Sequence, residues 1–75
     1  MELQEFIEKF AGVFEDTDIS EITNDTKFKE LDEWSSLTGL LVIGMVLDDY
    51  GKNLKADAIR QSVTVEDLYN VVKSL

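Results

Sequence analysis

SSLTGLLVIGMVLDDYG, residues 35–51, opens on a pair of serines, runs apolar from Leu37 to Leu47 apart from Thr38, Gly39 and Gly44, and closes on Tyr50-Gly51. Both ends carry helix signals. A serine oxygen accepts a backbone N–H in the first turn of a helix, and glycine is the usual residue in the left-handed conformation just past the last turn. The stretch therefore reads as a helix that begins at Ser35-Ser36 and ends near Tyr50. Its apolar part spans 11 residues, Leu37 to Leu47, against the roughly 20 that a membrane span requires. It is not read as a transmembrane helix. Because it is apolar around most of its circumference, a chain of 75 residues cannot bury every face of it. Some of Leu41, Met45 and Leu47 are expected at the surface.

Upstream, Leu3, Phe6, Ile7, Phe10, Val13 and Phe14 recur at steps of 3, 1, 3, 3 and 1, which places them on one stripe of a 3.6-period helix. This predicts a first helix over residues 2 to 14, with Phe6, Phe10 and Phe14 in the core and Glu2 and Glu5 at the positive end of the helix dipole. From Glu15 to Trp34 the pattern stops, and isolated apolar anchors remain at Ile19, Ile22, Phe28, Leu31 and Trp34. A loop of this length in so short a chain is expected to pack down on the core.

Downstream, Ala56 to Gln61 has room for a short helix with Ile59 turned inward. Thr64-Val65-Glu66-Asp67 has the spacing of a capping box, and Val65, Leu68, Val72 and Leu75 follow at steps of 3, 4 and 3. No segment alternates with period 2 between turn signals. The expectation is an all-α fold, a small four-helix bundle of three main helices and one short one, with a long loop between helices one and two. Residues 1–75 are read as a single domain.

Composition narrows the function. With no histidine and no cysteine, histidine acid–base work, Ser-His-Asp and Cys-His nucleophile pairs, and zinc sites of Cys or His are excluded. An enzyme is not expected, and neither catalytic nor metal-ligating residues are assigned. The lack of disulfides and the acids in Met1 to Glu5, where an export signal needs bases, fit a cytoplasmic, reducing location. Sixteen acids against 7 bases leave a net charge of -9, which repels nucleic-acid phosphates and anionic lipid and favours a basic protein partner. The chain is expected to be a monomer. Residues 1–33 hold 11 acids and 3 bases, and residues 34–75 hold 5 and 4, so the charge is concentrated upstream of the apolar run. Asp16, Asp18 and Ser20 alternate as calcium-loop ligands would, yet Glu21 stands where that loop needs glycine and Lys27 where it needs glutamate. Glu30, Asp32 and Glu33 read as a solvated acidic edge.

The string from Thr26 to Leu37, the apolar helix ending at Tyr50-Gly51, and Thr64-Val65-Glu66-Asp67-Leu68 together resemble the acyl carrier protein family over essentially the whole chain. Thr26, Phe28 and Leu31 match its T-x-F-x-x-L loop, Ser36-Leu37 the last letters of its D-S-L motif, Tyr50-Gly51 its aromatic-glycine helix end, and Thr64-Val65 with Asp67 its T-V-x-D cap. The resemblance implies that Ser36 receives 4'-phosphopantetheine, donated by coenzyme A, and that an acyl or aminoacyl group is then held as a thioester on that arm. It also implies a phosphopantetheinyl transferase, and acyl-loading and acyl-transfer enzymes with basic or apolar docking surfaces, as partners in lipid or secondary metabolite biosynthesis. In this chain Ser35 stands where the family usually has aspartate, and helix two carries no outward acid before Asp48 and Asp49. Docking is therefore expected through Leu37, Leu41 and Met45, with Glu30 and Glu33 on the flank. The alternative is an acidic helical protein-interaction module or a degenerate, unmodified carrier.

Overall fold

The computed structural model describes residues 1–75. Its helices are α1 (Leu3–Ala11), α2 (Ser36–Tyr50), α3 (Ala56–Gln61) and α4 (Val65–Ser74), with single 3-10 turns at Ile19–Glu21 and Phe28–Glu30 inside the α1–α2 connection and no strand. The fold is a small all-α bundle of four helices. None of them is long and apolar enough to cross a membrane.

Helix α1 stops short of the expected residue 14. Gly12, a weak helix former, follows Ala11, and the N–H groups of Val13 and Phe14 donate to the carbonyls of Phe10 and Ala11 at 3.2 and 3.1 Å. Winding tightens from i→i−4 to i→i−3, which preserves the spacing of three that made the sequence look like a continued helix. Phe14 consequently stays buried although it lies outside α1.

The core takes Phe6 and Phe10 from α1, Val42 and Val46 from α2, Ile59 from α3, and Val65, Leu68 and Val72 from α4. All 7 aromatic residues join one network of neighbouring rings. Phe28 is its hinge: fully buried, it meets Phe10 edge-on at 5.6 Å and Trp34 at 4.9 Å. Edge-to-face contacts of this kind add to the area term.

That packing holds the long connection down, as expected, with four of the five expected anchors. Ile22 and Phe28 are buried and Leu31 and Trp34 are half-buried, whereas Ile19 is 45% exposed. The 3-10 turn that Ile19 opens is held by the Asp18–Glu21 capping box, and Ile22 then leaves it in extended backbone (φ −117°, ψ 117°) to enter the core. Only the second isoleucine is turned inward. The connection is also stitched to the start of α4: the N–H groups of Val65 and Glu66 donate to the carbonyls of Thr26 and Asn24 at 3.1 and 3.0 Å. Those donors belong to the first turn of a helix and have no acceptor within it.

Local chemistry sets the remaining ends. Gly51 adopts φ 65°, ψ 29°, and its N–H donates to the Leu47 carbonyl at 2.9 Å, closing α2. At α4 the Thr64 hydroxyl accepts from the Asp67 N–H, while the Asp67 carboxylate accepts from the N–H groups of Val63 and Thr64, each at 3.1 Å. Leu75, placed by spacing on the buried stripe, lies beyond the end of α4 and is exposed.

Candidate functional site

The adjacent serines at the start of α2 do different things. Ser35 is the N-cap, in extended backbone (φ −157°, ψ 176°), and its Oγ accepts from the Thr38 N–H at 3.3 Å. It also shares a hydrogen bond with the Thr38 hydroxyl at 3.2 Å, and that hydroxyl donates to the Glu33 carbonyl at 2.7 Å. The Ser35 side chain is therefore committed to starting the helix. Ser36 is the first helical residue, it is exposed, and its hydroxyl makes no bond within the chain. The N–H groups of Ser36 and Leu37 likewise have no internal acceptor. A free hydroxyl thus stands beside free donors at the positive end of a 15-residue helix, a setting that favours a bound or attached anion.

Ser36 borders a cleft of about 520 Å³ between α2 and α3, walled by Trp34, Gly39, Leu40, Ile43 and Ile59. The charged residues lining it are Lys29 and Arg60, both basic. The Lys29 ammonium donates to the Arg60 carbonyl at 2.6 Å, which ties the second 3-10 turn of the long connection to α3 and fixes one wall of the cleft. Arg60 pairs with Asp57 on its own helix.

The residues expected to dock partners fall into distinct groups. Leu37 is 66% and Leu41 48% exposed, so both are on the surface, together with Leu40 and Leu47. Met45 is not: at 8% exposed it belongs to the core face of α2 with Thr38, Val42 and Val46. Residues 38, 42, 45 and 46 follow the i, i+4, i+7, i+8 spacing of one helix face. A sequence apolar on all sides gives no sign of which face that is, and Leu40, unassigned from sequence, is the exposed neighbour in its place.

Glu30 is exposed, at the end of its 3-10 turn. Glu33 is half-buried, and its carboxylate accepts from the N–H groups of Glu15 and Asp16 at 3.0 and 2.9 Å and from the Thr17 hydroxyl at 2.6 Å. The Thr17 bond, aided by the backbone donors, holds its carboxyl below the usual range. Glu33 is thus a clasp between the end of α1 and the start of α2 rather than a free docking acid. Its three donors are 16 to 18 residues away in sequence, and no local pattern announces such a contact.

No protein-family model, no curated protein and no solved structure matches the chain.

Proposed function

We propose that the chain is an acyl carrier whose Ser36 hydroxyl bears 4'-phosphopantetheine. The observation that carries this reading is the division of labour at the start of α2. Ser35 uses its oxygen to cap the helix, while Ser36, one residue later, keeps an exposed hydroxyl without an internal partner. The residues present fit the group. A phosphodiester on the Ser36 oxygen would face the free N–H groups of Ser36 and Leu37 and the positive helix end, an interaction worth about 0.3–1 kcal/mol at an exposed site. The cleft beside Ser36 offers apolar walls along which an arm or its cargo lies, with Lys29 and Arg60 supplying positive charge at its lining.

When attached, the arm supplies the thiol on which an acyl or aminoacyl group is carried as a thioester. The chain's own residues position and present it: the Ser35 cap and the Thr38–Glu33 bond fix the start of α2, and the exposed Leu37 and Leu41 with Glu30 offer a surface to transferases and acyl-handling enzymes. No catalytic step is assigned to the chain. Ser36 is the substrate of the transferase.

The test is incubation with coenzyme A, magnesium and a broad-specificity phosphopantetheinyl transferase, read by intact mass. Wild type is expected to gain the mass of one phosphopantetheine, Ser36→Ala to gain nothing, and Ser35→Ala to be modified still. Loss of the gain in Ser35→Ala but not in Ser36→Ala would move the site by one residue, and no gain in wild type would favour an unmodified interaction module. Ser35→Asp keeps a good N-cap and adds the acid usual in the resembling family. It is expected to be modified faster, because transferases meet carriers through basic surfaces.

A further inference from the structure

Three clefts open on the surface, and charge is sorted between them. One, between α2 and the turn that ends α1, has Glu15, Asp48 and Asp49 as its charged residues, and another, along the connection, has Asp16, Glu21, Glu30, Asp32 and Glu33. The cleft beside Ser36 has Lys29 and Arg60 and no acid. In a chain of 16 acids and 7 bases, a cleft lined by bases alone runs against the composition. Both cations are also held in place. An ammonium has three donors; Lys29 gives one to the Arg60 carbonyl at 2.6 Å and lies 5.9 Å from the centre of the Phe28 ring. That bond ties Lys29 to the very residue that carries the second charge. Arg60 pairs with Asp57 through one nitrogen, and its guanidinium makes no other bond within the chain. The phosphodiester proposed for Ser36 has donors of its own in the free N–H groups of Ser36 and Leu37, so the two cations are left for something further along the arm.

We propose that the acyl group carried by this chain ends in a carboxylate, which Lys29 and Arg60 receive when the group folds back into the cleft. Its methylenes then lie against Leu40, Ile43 and Ile59. This deepens the carrier reading of Ser36 and rests on it. An aminoacyl group brings an ammonium to the same two cations and is repelled, while a plain alkyl group gains the apolar walls alone. Lys29 and Arg60 are exposed, so their attraction is modest and screened by salt. It selects among cargoes rather than locking one in.

The test loads the chain from coenzyme A analogues in which a stable amide replaces the thioester. They carry hexanoyl, adipoyl or ω-aminohexanoyl groups, alike in length and different in the charge of the far end. Intact mass reports loading, and amide NMR signals of the isotope-labelled product report the cleft. Relative to the bare arm, the adipoyl group is expected to move the signals of Gly39, Ile59 and Arg60 several-fold further than the hexanoyl group does. The ω-aminohexanoyl group is expected to leave them near their bare-arm positions. Sodium chloride is expected to shrink the adipoyl shift and to spare the hexanoyl one. Arg60→Gln keeps the backbone carbonyl that Lys29 grips and is expected to bring the adipoyl shift down toward the hexanoyl value, whereas Arg60→Glu is expected to favour the ω-aminohexanoyl group. Lys29→Arg is expected to keep the adipoyl preference and Lys29→Gln to lose it. Should Lys29→Gln fold poorly, the exposed Arg60 variants decide alone. Equal shifts with the three groups, or an adipoyl shift that survives in Arg60→Gln, would overturn the inference while the gain in mass leaves the carrier reading standing. A bare arm that moves the same signals as far as the adipoyl group would assign the cations to the phosphodiester and overturn it too. No gain in mass with any analogue would remove the carrier reading, and this inference with it.

Discussion

Glu33, Asp67 and Tyr50 each tie the fold to pH, with signs that follow from their surroundings. The Thr17 hydroxyl and backbone donors hold the Glu33 carboxyl below its ordinary 4.5, and the N–H groups of Thr64 and Val63 hold Asp67 below 3.8. A carboxyl that gives up its proton more readily in the folded state stabilises that state above its unfolded pKa, and the stabilisation is lost as pH falls through the folded value. Tyr50 is opposite. Burial first, and then the neighbouring Glu5 carboxylate, push its phenol from 10.0 up to about 12. Its contribution is complete below the unfolded value and disappears as pH rises from 10.0 toward about 12. Melting temperature followed across pH is therefore expected to fall at both ends. Glu33→Gln should flatten the acid limb and lower the plateau, because an amide cannot accept all the bonds that this carboxylate accepts. Tyr50→Phe should flatten the alkaline limb alone. An acid limb unchanged in Glu33→Gln would mean that the clasp does not hold in solution.

Among the elements, α2 offers the sharpest contrast between neighbouring leucine-sized side chains. Leu41 is about half exposed and Met45 is buried against the core. Leu41→Glu is expected to change stability by no more than about 0.5 kcal/mol, as surface substitutions usually do. Met45→Ala is expected to cost about 2–5 kcal/mol through lost contact and a residual cavity. Denaturant unfolding of both variants checks the assignment, and a destabilised Leu41→Glu would place that leucine in the core. The difference was not legible in the sequence, since a run without polar relief has no periodicity to phase it. What could be read was chemistry that acts within a few residues: the Gly51 end of α2, the Thr64–Asp67 box of α4, the short α3 around Ile59, and a helix start at Ser35-Ser36. The end of α1 was misread because 3-10 winding through Phe14 keeps the same spacing. Ile19 was misread because the backbone direction after its turn is a tertiary matter. The Glu33 clasp joins segments distant in sequence, so it left no local trace.

For the molecule as a whole, 16 acids face 7 bases, and Arg60–Asp57 is the sole side-chain ion pair. Such an excess repels itself in the compact state, and salt screens it, with a Debye length of about 10 Å at about 0.1 M. The melting temperature is expected to climb as sodium chloride rises from about 0.01 to about 0.5 M. A flat or falling curve would show that the acids lie too far apart, or are too well hydrated, to matter. The aromatic network bears on a different property, the protein's light. Trp34 is the one indole; it stands against Phe28 and Phe14, and it also lines the cleft beside Ser36. Its emission colour follows the wetness of that cleft. The chain thus carries its own optical probe, with no added dye, at the point where the long connection, α2 and the proposed arm converge.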